Sequence, residues 1–176
     1  MSFRRSNRTY DESSLYEYAV EALGRRMRSV AELKRLMRRR VPNDEYGQVL
    51  VETVVAKLKE QKYLNDSAYA AAYSSYRKEN EKFGRMRVVT DLKARGVHGD
   101  VIAKAVTAAY AGVDEEKLAR AFLRRKRLEK PANQKQAARI FRALTRAGFT
   151  ARVIVRILKK WDVDEETITA LESEAP

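Results

Sequence analysis

Residues 63–97 read YLNDSAYAAAYSSYRKENEKFGRMRVVTDLKARGV, and the way this stretch is punctuated decides the fold class. Asn65 or Asp66 is placed to cap a helix, because a short side-chain oxygen there accepts a hydrogen bond from one of the amides that open it. Tyr69, Tyr73 and Tyr76 then recur at i, i+4 and i+7, which puts three rings on one helical face. Arg77, Lys78, Lys82, Arg85 and Arg87 supply positive charge at the far end. Phe83 and Gly84 interrupt the run. A second helix follows with Met86, Val89 (or Val88) and Leu92 at helical spacing, and Gly96 is positioned to take the left-handed conformation that stops it. Rings at helical spacing could stack on bases, but they belong to cores more often, so core packing is expected for at least two of the tyrosines.

Working outward, the same order of helices recurs on both sides of this stretch at intervals of about 50 residues. Upstream, Ser13 or Ser14 caps a first helix carrying Leu15, Tyr18, Ala19, Ala22 and Leu23 on one face. Ser29 and Glu32 have the spacing of a capping box, opening a helix that buries Val30, Leu33, Leu36 and Met37. A third helix starts near Asp44 with Leu50 (or Val51), Val54, Val55 and Leu58 inside. Second helices end in LMRRRV, LKARGV and LTRAGF, which aligns Leu36, Leu92 and Leu144 and places Gly96 and Gly148 at equivalent caps. Arg40-Val41-Pro42 stands where the first unit would have its glycine corner. Downstream, Asp114 opens a helix with Leu118, Ala121, Phe122 and Leu128 inward. Third helices bury Val101, Ile102, Ala105 and Val106 in the middle unit, and Val153, Ile154, Ile157 and Leu158 in the last, with Trp161 closing its core.

The expected fold is all-α: three tandem three-helix modules forming an elongated, curved array. Its divisions are a basic arm (residues 1–13), modules at 14–63, 64–112 and 113–161, and an acidic tail at 162–176 that forms a short helical turn around Ile168 and Leu171 or lies near the basic surface. Modules of about 50 residues have small cores and gain stability by covering one another's apolar ends.

Composition narrows the function. Among 176 residues, 37 Lys+Arg against 24 Asp+Glu leave a net charge of +13, a field that attracts polyanions. Asp162, Asp164, Glu165, Glu166, Glu172 and Glu174 are concentrated in the tail, so the excess is larger over the rest of the chain. With no Cys there is neither a disulfide framework nor a thiolate metal site. No apolar run approaches the roughly 20 residues that span a bilayer, and the N-terminus lacks the apolar centre of a secretion signal. A cytoplasmic location is expected. The sequence contains no phosphate-binding glycine loop, no H-E-x-x-H and no Cys nucleophile, and His98 has no second ligand at a usable spacing. No enzyme, no cofactor and no metal are expected.

The residues also carry a resemblance. Tyr63, Leu64, Asn65 and Asp66, then Tyr69 and Ala70, then Gly84 with Val88, Leu92 and Gly96 behind it, are similar to the central signature of the RecX family, and the likeness extends more loosely over residues 15–161. The resemblance implies a regulator that binds in the groove of the RecA filament on single-stranded DNA and inhibits filament growth, ATP hydrolysis and strand exchange. It would act in recombination, repair and the SOS response without catalysis. The implied partners are the RecA filament and single-stranded DNA, with non-specific double-stranded DNA as an alternative, and a monomer is expected. No membrane partner is expected, since the basic amphipathic helix at 150–161 has its own module to bury it.

The candidate surface for DNA or filament is basic and repeats with the modules. It comprises Arg25, Arg26, Arg28, Arg35, Arg38 and Arg39 in the first, and Lys82, Arg85, Arg87, Lys93 and Arg95 in the second. Arg124, Arg125, Arg127, Arg139, Arg142 and Arg146 follow in the third. A solvated face explains any one of these equally well; their recurrence near equivalent corners argues for a shared role. The alternative is a sequence-specific helix-turn-helix protein, and the third helices argue against it. Two of them open on Asp44-Glu45 and Gly99-Asp100, where a recognition helix offers donors to base edges.

Overall fold

The structure is a computed structural model that describes residues 10–173. Among these, ten helices and no strand are found. They are α1 (Glu12–Arg25), α2 (Val30–Arg38), α3 (Glu45–Glu60), α4 (Asp66–Glu79), α5 (Arg85–Ala94), α6 (Gly99–Ala109), α7 (Glu115–Arg125), α8 (Gln134–Arg146), α9 (Ala151–Lys159) and α10 (Glu165–Ser173). The all-α architecture read from the sequence is the one observed. Residues 1–9 of the expected arm and 174–176 of the tail lie outside the described residues.

The chain divides into two compact units: residues up to 69 with 93–101, and 70–92 with 102 onward. In the first, α1, α2 and α3 close around Leu15, Ala19, Leu33, Met37, Val51 and Leu58, with Leu64 covering one end. In the second, α7, α8, α9 and α10 close around Phe122, Ile140, Phe141, Leu144, Ile154 and Ile157. Trp161 is half-buried against this core. Each of these stripes has the i, i+3, i+4 spacing that turns one helical face inward.

Two readings are corrected and a third is extended. The helix expected to start at Ser13 or Ser14 begins earlier: Asp11 is its cap, accepting from the Ser14 amide (2.9 Å) in a reciprocal capping box. Met86 is 55% exposed while Val88 and Leu92 are fully buried, so the inward stripe of α5 starts one half-turn later than Met86. Over its described part the tail takes the helical alternative, in a helix of nine residues that is longer than the single turn expected. Asp164 accepts from the Thr167 amide (2.7 Å), and α10 sinks Ile168 and Leu171 into the second unit's core.

Helix ends repeat a backbone device. Gly96 (φ +75) and Gly148 (φ +89) are left-handed after α5 and α8. Lys62 (φ 61), Gly112 (φ 67) and Asp162 (φ 57) are left-handed after the three third helices. At Lys62 the turn closes through the Tyr63 amide onto the Leu58 carbonyl (2.9 Å). A non-glycine residue is strained there by ~1–2 kcal/mol. Lys62→Gly is therefore expected to stabilise the protein by about 0.5–1 kcal/mol after the extra unfolded-state freedom of glycine is deducted. A urea midpoint that rises with an unchanged slope is the readout.

Candidate nucleic-acid interface

The basic clusters sit at helix corners, and backbone contacts fix those corners. In the first unit, Ser29 Oγ accepts from the Glu32 amide (3.1 Å) while the Glu32 carboxylate accepts from the Ser29 amide (3.2 Å), the capping box read from the sequence. The same hydroxyl donates to the Arg95 carbonyl (2.6 Å), and Asp66 Oδ1 accepts from the Val30 amide (2.8 Å). A Cβ on Gly96 would stand 2.5 Å from Ala31 Cβ, so α2 and the end of α5 approach as closely as backbones allow.

In the second unit the equivalent corner is joined through backbone hydrogen bonds. The Gly84 amide donates to the Ala147 carbonyl (2.8 Å) and the Met86 amide to the Gly148 carbonyl (3.3 Å). A helix leaves its first amides and last carbonyls unpaired. Here the opening amides of α5 meet the closing carbonyls of α8, and each end completes the other. The approach needs glycine on both sides: a Cβ on Gly84 would lie 2.5 Å from the Gly148 carbonyl carbon, and one on Gly148 would lie 2.6 Å from Arg87 Cβ.

Tyr110 clamps this corner by donating from its hydroxyl to the Phe83 carbonyl (2.8 Å). Its ring is 3% exposed, and burial pushes the phenol well above its ordinary value, with nearby Arg85 opposing the shift. Because the folded pKa is raised, this contribution is fully present below about pH 10, where a free tyrosine titrates, and is lost as pH rises beyond it. Tyr110→Phe is expected to lower stability by ~1 kcal/mol at neutral pH and to reduce the fall in stability above pH 10. Denaturant titrations at several alkaline pH values measure both.

These corners hold the cations in different degrees of freedom. Arg35, Arg38 and Arg39 are exposed on and just after α2, as are Arg124, Arg127, Arg139, Arg142 and Arg146 around α7 and α8. Arg85 and Lys93 are exposed on α5. Others are engaged. Arg25 pairs with Glu21, Arg26 reaches Glu32 at 3.9 Å and Arg125 meets Glu81 at 3.0 Å. Arg28 is half-buried and donates to the Ala22 carbonyl (3.2 Å), and Lys82 is half-buried in left-handed backbone. Arg95 is the most committed, its side chain 28% exposed and 2.7 Å from Glu32. Arg87 lies 3.0 Å from Asp91 and donates to the Arg146 carbonyl (3.4 Å).

The three tyrosines of α4 separate. Tyr69 is buried and donates to Glu32 (3.4 Å). Tyr73 is half-buried, donating to Asp91 (3.0 Å) and accepting from Arg77 (2.8 Å). Tyr76 is 56% exposed, because α4 buries a narrower stripe than three rings span. His98 is exposed in the turn before α6. Among the described residues no group of three His, Cys, Asp or Glu is placed to hold a metal ion, and no helix is long and apolar enough to cross a membrane.

The family model for the second three-helix domain of RecX matches residues 65–106. Over 168 residues the chain is 31% identical to the regulatory protein RecX of Myxococcus xanthus, covering 88% of this chain and 87% of that one. The chain belongs to the RecX family. It is also 31% identical over 154 residues to the regulatory protein RecX of Bacillus pumilus, of whose length it spans 57%. Two crystal structures share the fold at 20% identity. One is of a regulatory protein RecX, with a TM-score of 0.66 over 85% of this chain and 71% of that one. The other is RecX from Lactobacillus salivarius, with a TM-score of 0.62 over 86% and 97%.

In this RecX chain the signature residues are mostly those that build the corners. Leu64, Ala70 and Leu92 are core, Asp66 holds the Val30 amide, Tyr69 reaches Glu32, and Gly84 and Gly96 are the close backbone approaches. Tyr63 is the exception, 61% exposed. The sequence reading placed Arg77 among the charges that end its helix but left it off the candidate surface, where it shares Asp91 with Arg87, and it left out Lys126, which is exposed beside Phe122. Each stands four residues after a ring it lies over, Tyr73 and Phe122, a local spacing that signals both, whereas Asp91 is distant from Arg77 in sequence.

Proposed function

We propose that this RecX chain binds the RecA filament on single-stranded DNA, occupies its helical groove, and so opposes filament growth, ATP hydrolysis and strand exchange without chemistry of its own. Family membership supports the regulatory role. The observation that carries the nucleic-acid part is the exposed arginine sets on α2 and α8, with those beside α7. Arg35, Arg38 and Arg39, and Arg139, Arg142 and Arg146, present guanidinium groups to solvent at helical spacing, suited to phosphates as bidentate donors. The proposal also includes Arg25, Arg26, Arg28, Lys82, Arg85, Arg87, Lys93, Arg124, Arg125 and Arg127, and Arg95 joins them through its pairing with Glu32. Double-stranded DNA is a weaker, non-specific partner, and the protein acts as a cytoplasmic monomer.

The test is the ATPase of preformed RecA filaments on single-stranded DNA. Substoichiometric addition slows hydrolysis if the proposal holds; an unchanged rate at saturating protein rejects it.

A further inference from the structure

Within the second unit, the α4–α5 corner, the end of α7 and one stripe of α8 surround an open depression of about 380 Å³. Its floor is apolar. Phe122 is 5% exposed, Phe83 and Leu128 are half-buried, and the two rings sit 6.2 Å apart at 47°. Its edge is cationic: Arg87, Lys126, Arg139 and Arg146 are all exposed. On α8, Arg139, Ala143 and Arg146 stand at i, i+4 and i+7, so a small residue lies between two arginines about 10 Å apart along the axis. The Arg77 and Arg87 guanidinium carbons lie 5.3 and 5.6 Å from the Phe83 ring centre. Asp91 engages both of those arginines, and among the described residues no ion pair engages Lys126, Arg139 or Arg146.

We propose that this cup takes one nucleotide of a single strand, its base against the half-buried Phe83 ring above the Phe122 floor and its two flanking phosphates on the cationic edge. At about 380 Å³ the open space accommodates one base with its sugar. Aromatic floors accept any base by stacking, and a strand sets an anion on each side of every base by its covalent structure. An apolar side chain from a protein would need acids on both sides to match the same edge, and only particular sequences supply them. The assignment rests on the nucleic-acid part of the function proposed above, and on nothing about how RecA responds.

The test compares a short labelled oligothymidylate with an abasic strand of the same length and charge. The unaltered protein binds the base-bearing strand about tenfold more tightly, the lower part of the range for one stacked base. Ala143→Leu fills the cup without changing charge; it removes that preference and leaves abasic binding unchanged, with circular dichroism confirming the helix content. Lys126→Ala keeps the cup open and weakens both strands alike. Equal binding of the two strands by the unaltered protein, or a preference that survives Ala143→Leu, overturns the assignment. So does an Ala143→Leu protein that keeps the preference but loses its effect on RecA filaments, which would give the cup to a protein side chain. A protein that shows the base preference while leaving filament ATPase untouched keeps the cup and rejects the function proposed above.

Discussion

Gly148→Ala is expected to lower the stability of the second unit by about 3–5 kcal/mol, the sum of left-handed strain, a backbone collision and the hydrogen bonds broken where α5 meets α8. A methyl at Gly148 falls 2.6 Å from Arg87 Cβ and 2.9 Å from Arg87 Cα, and its φ of +89 disfavours any side chain. Neither obstacle is the tip of a flexible chain, so relief requires the two helix ends to part. Parting them removes the acceptors of the Gly84 and Met86 amides. For a unit of about 100 residues, a melting midpoint lower by 15 °C or more is the expected reading. Gly84→Ala should behave similarly, since its methyl would meet Gly148 and lie 2.9 Å from the Phe149 amide. Gly24→Ala is the contrast: nothing lies within 4 Å of its Cβ, and alanine inside α1 should stabilise by ~0.5–1 kcal/mol. A loss at Gly148 no larger than 1 kcal/mol would refute the close approach.

The second large effect is on binding. If single-stranded DNA engages about six phosphates through the exposed arginines, affinity drops by ~300-fold between 50 and 200 mM salt. Replacing Arg139, Arg142 and Arg146 together by Gln should reduce the logarithmic salt slope by about 2, at ~0.7 for each phosphate of a single strand that is no longer neutralised. The same triple change at the engaged residues Arg25, Arg26 and Arg28 should reduce it by less, because Glu21, Glu32 and the Ala22 carbonyl already hold those side chains. A salt slope unmoved by the α8 triple variant would remove these arginines from the interface.

Local signals in the sequence located most of the helices. Asn65 and Asp114 cap as their side chains suggest, Asn65 Oδ1 accepting from the Ser67 and Ala68 amides at 2.9 and 3.0 Å. The buried stripes of α3 and α9 were legible because Val, Leu and Ile recur at helical spacing without interruption. What escaped was set by partners distant in sequence. Ile168 and Leu171 were legible as a pair, but the acids of 162–166 left open whether they form a helix or loose chain, since their burial depends on α8 and α9. Gly148 was legible as a cap and Gly84 as a break, but no spacing reveals that they touch. The cup at Phe83, Phe122 and Ala143 was invisible for the same reason: three separate segments each supply part of it.

The joining of α5 to α8 has a consequence for synthesis. The ribosome delivers the opening amides of α5 well before the carbonyls of Ala147 and Gly148 that receive them. Until those later residues have emerged and coiled, the first turn of the earlier helix has only water to bond with, so folding of this half of the chain is completed from its C-terminal side.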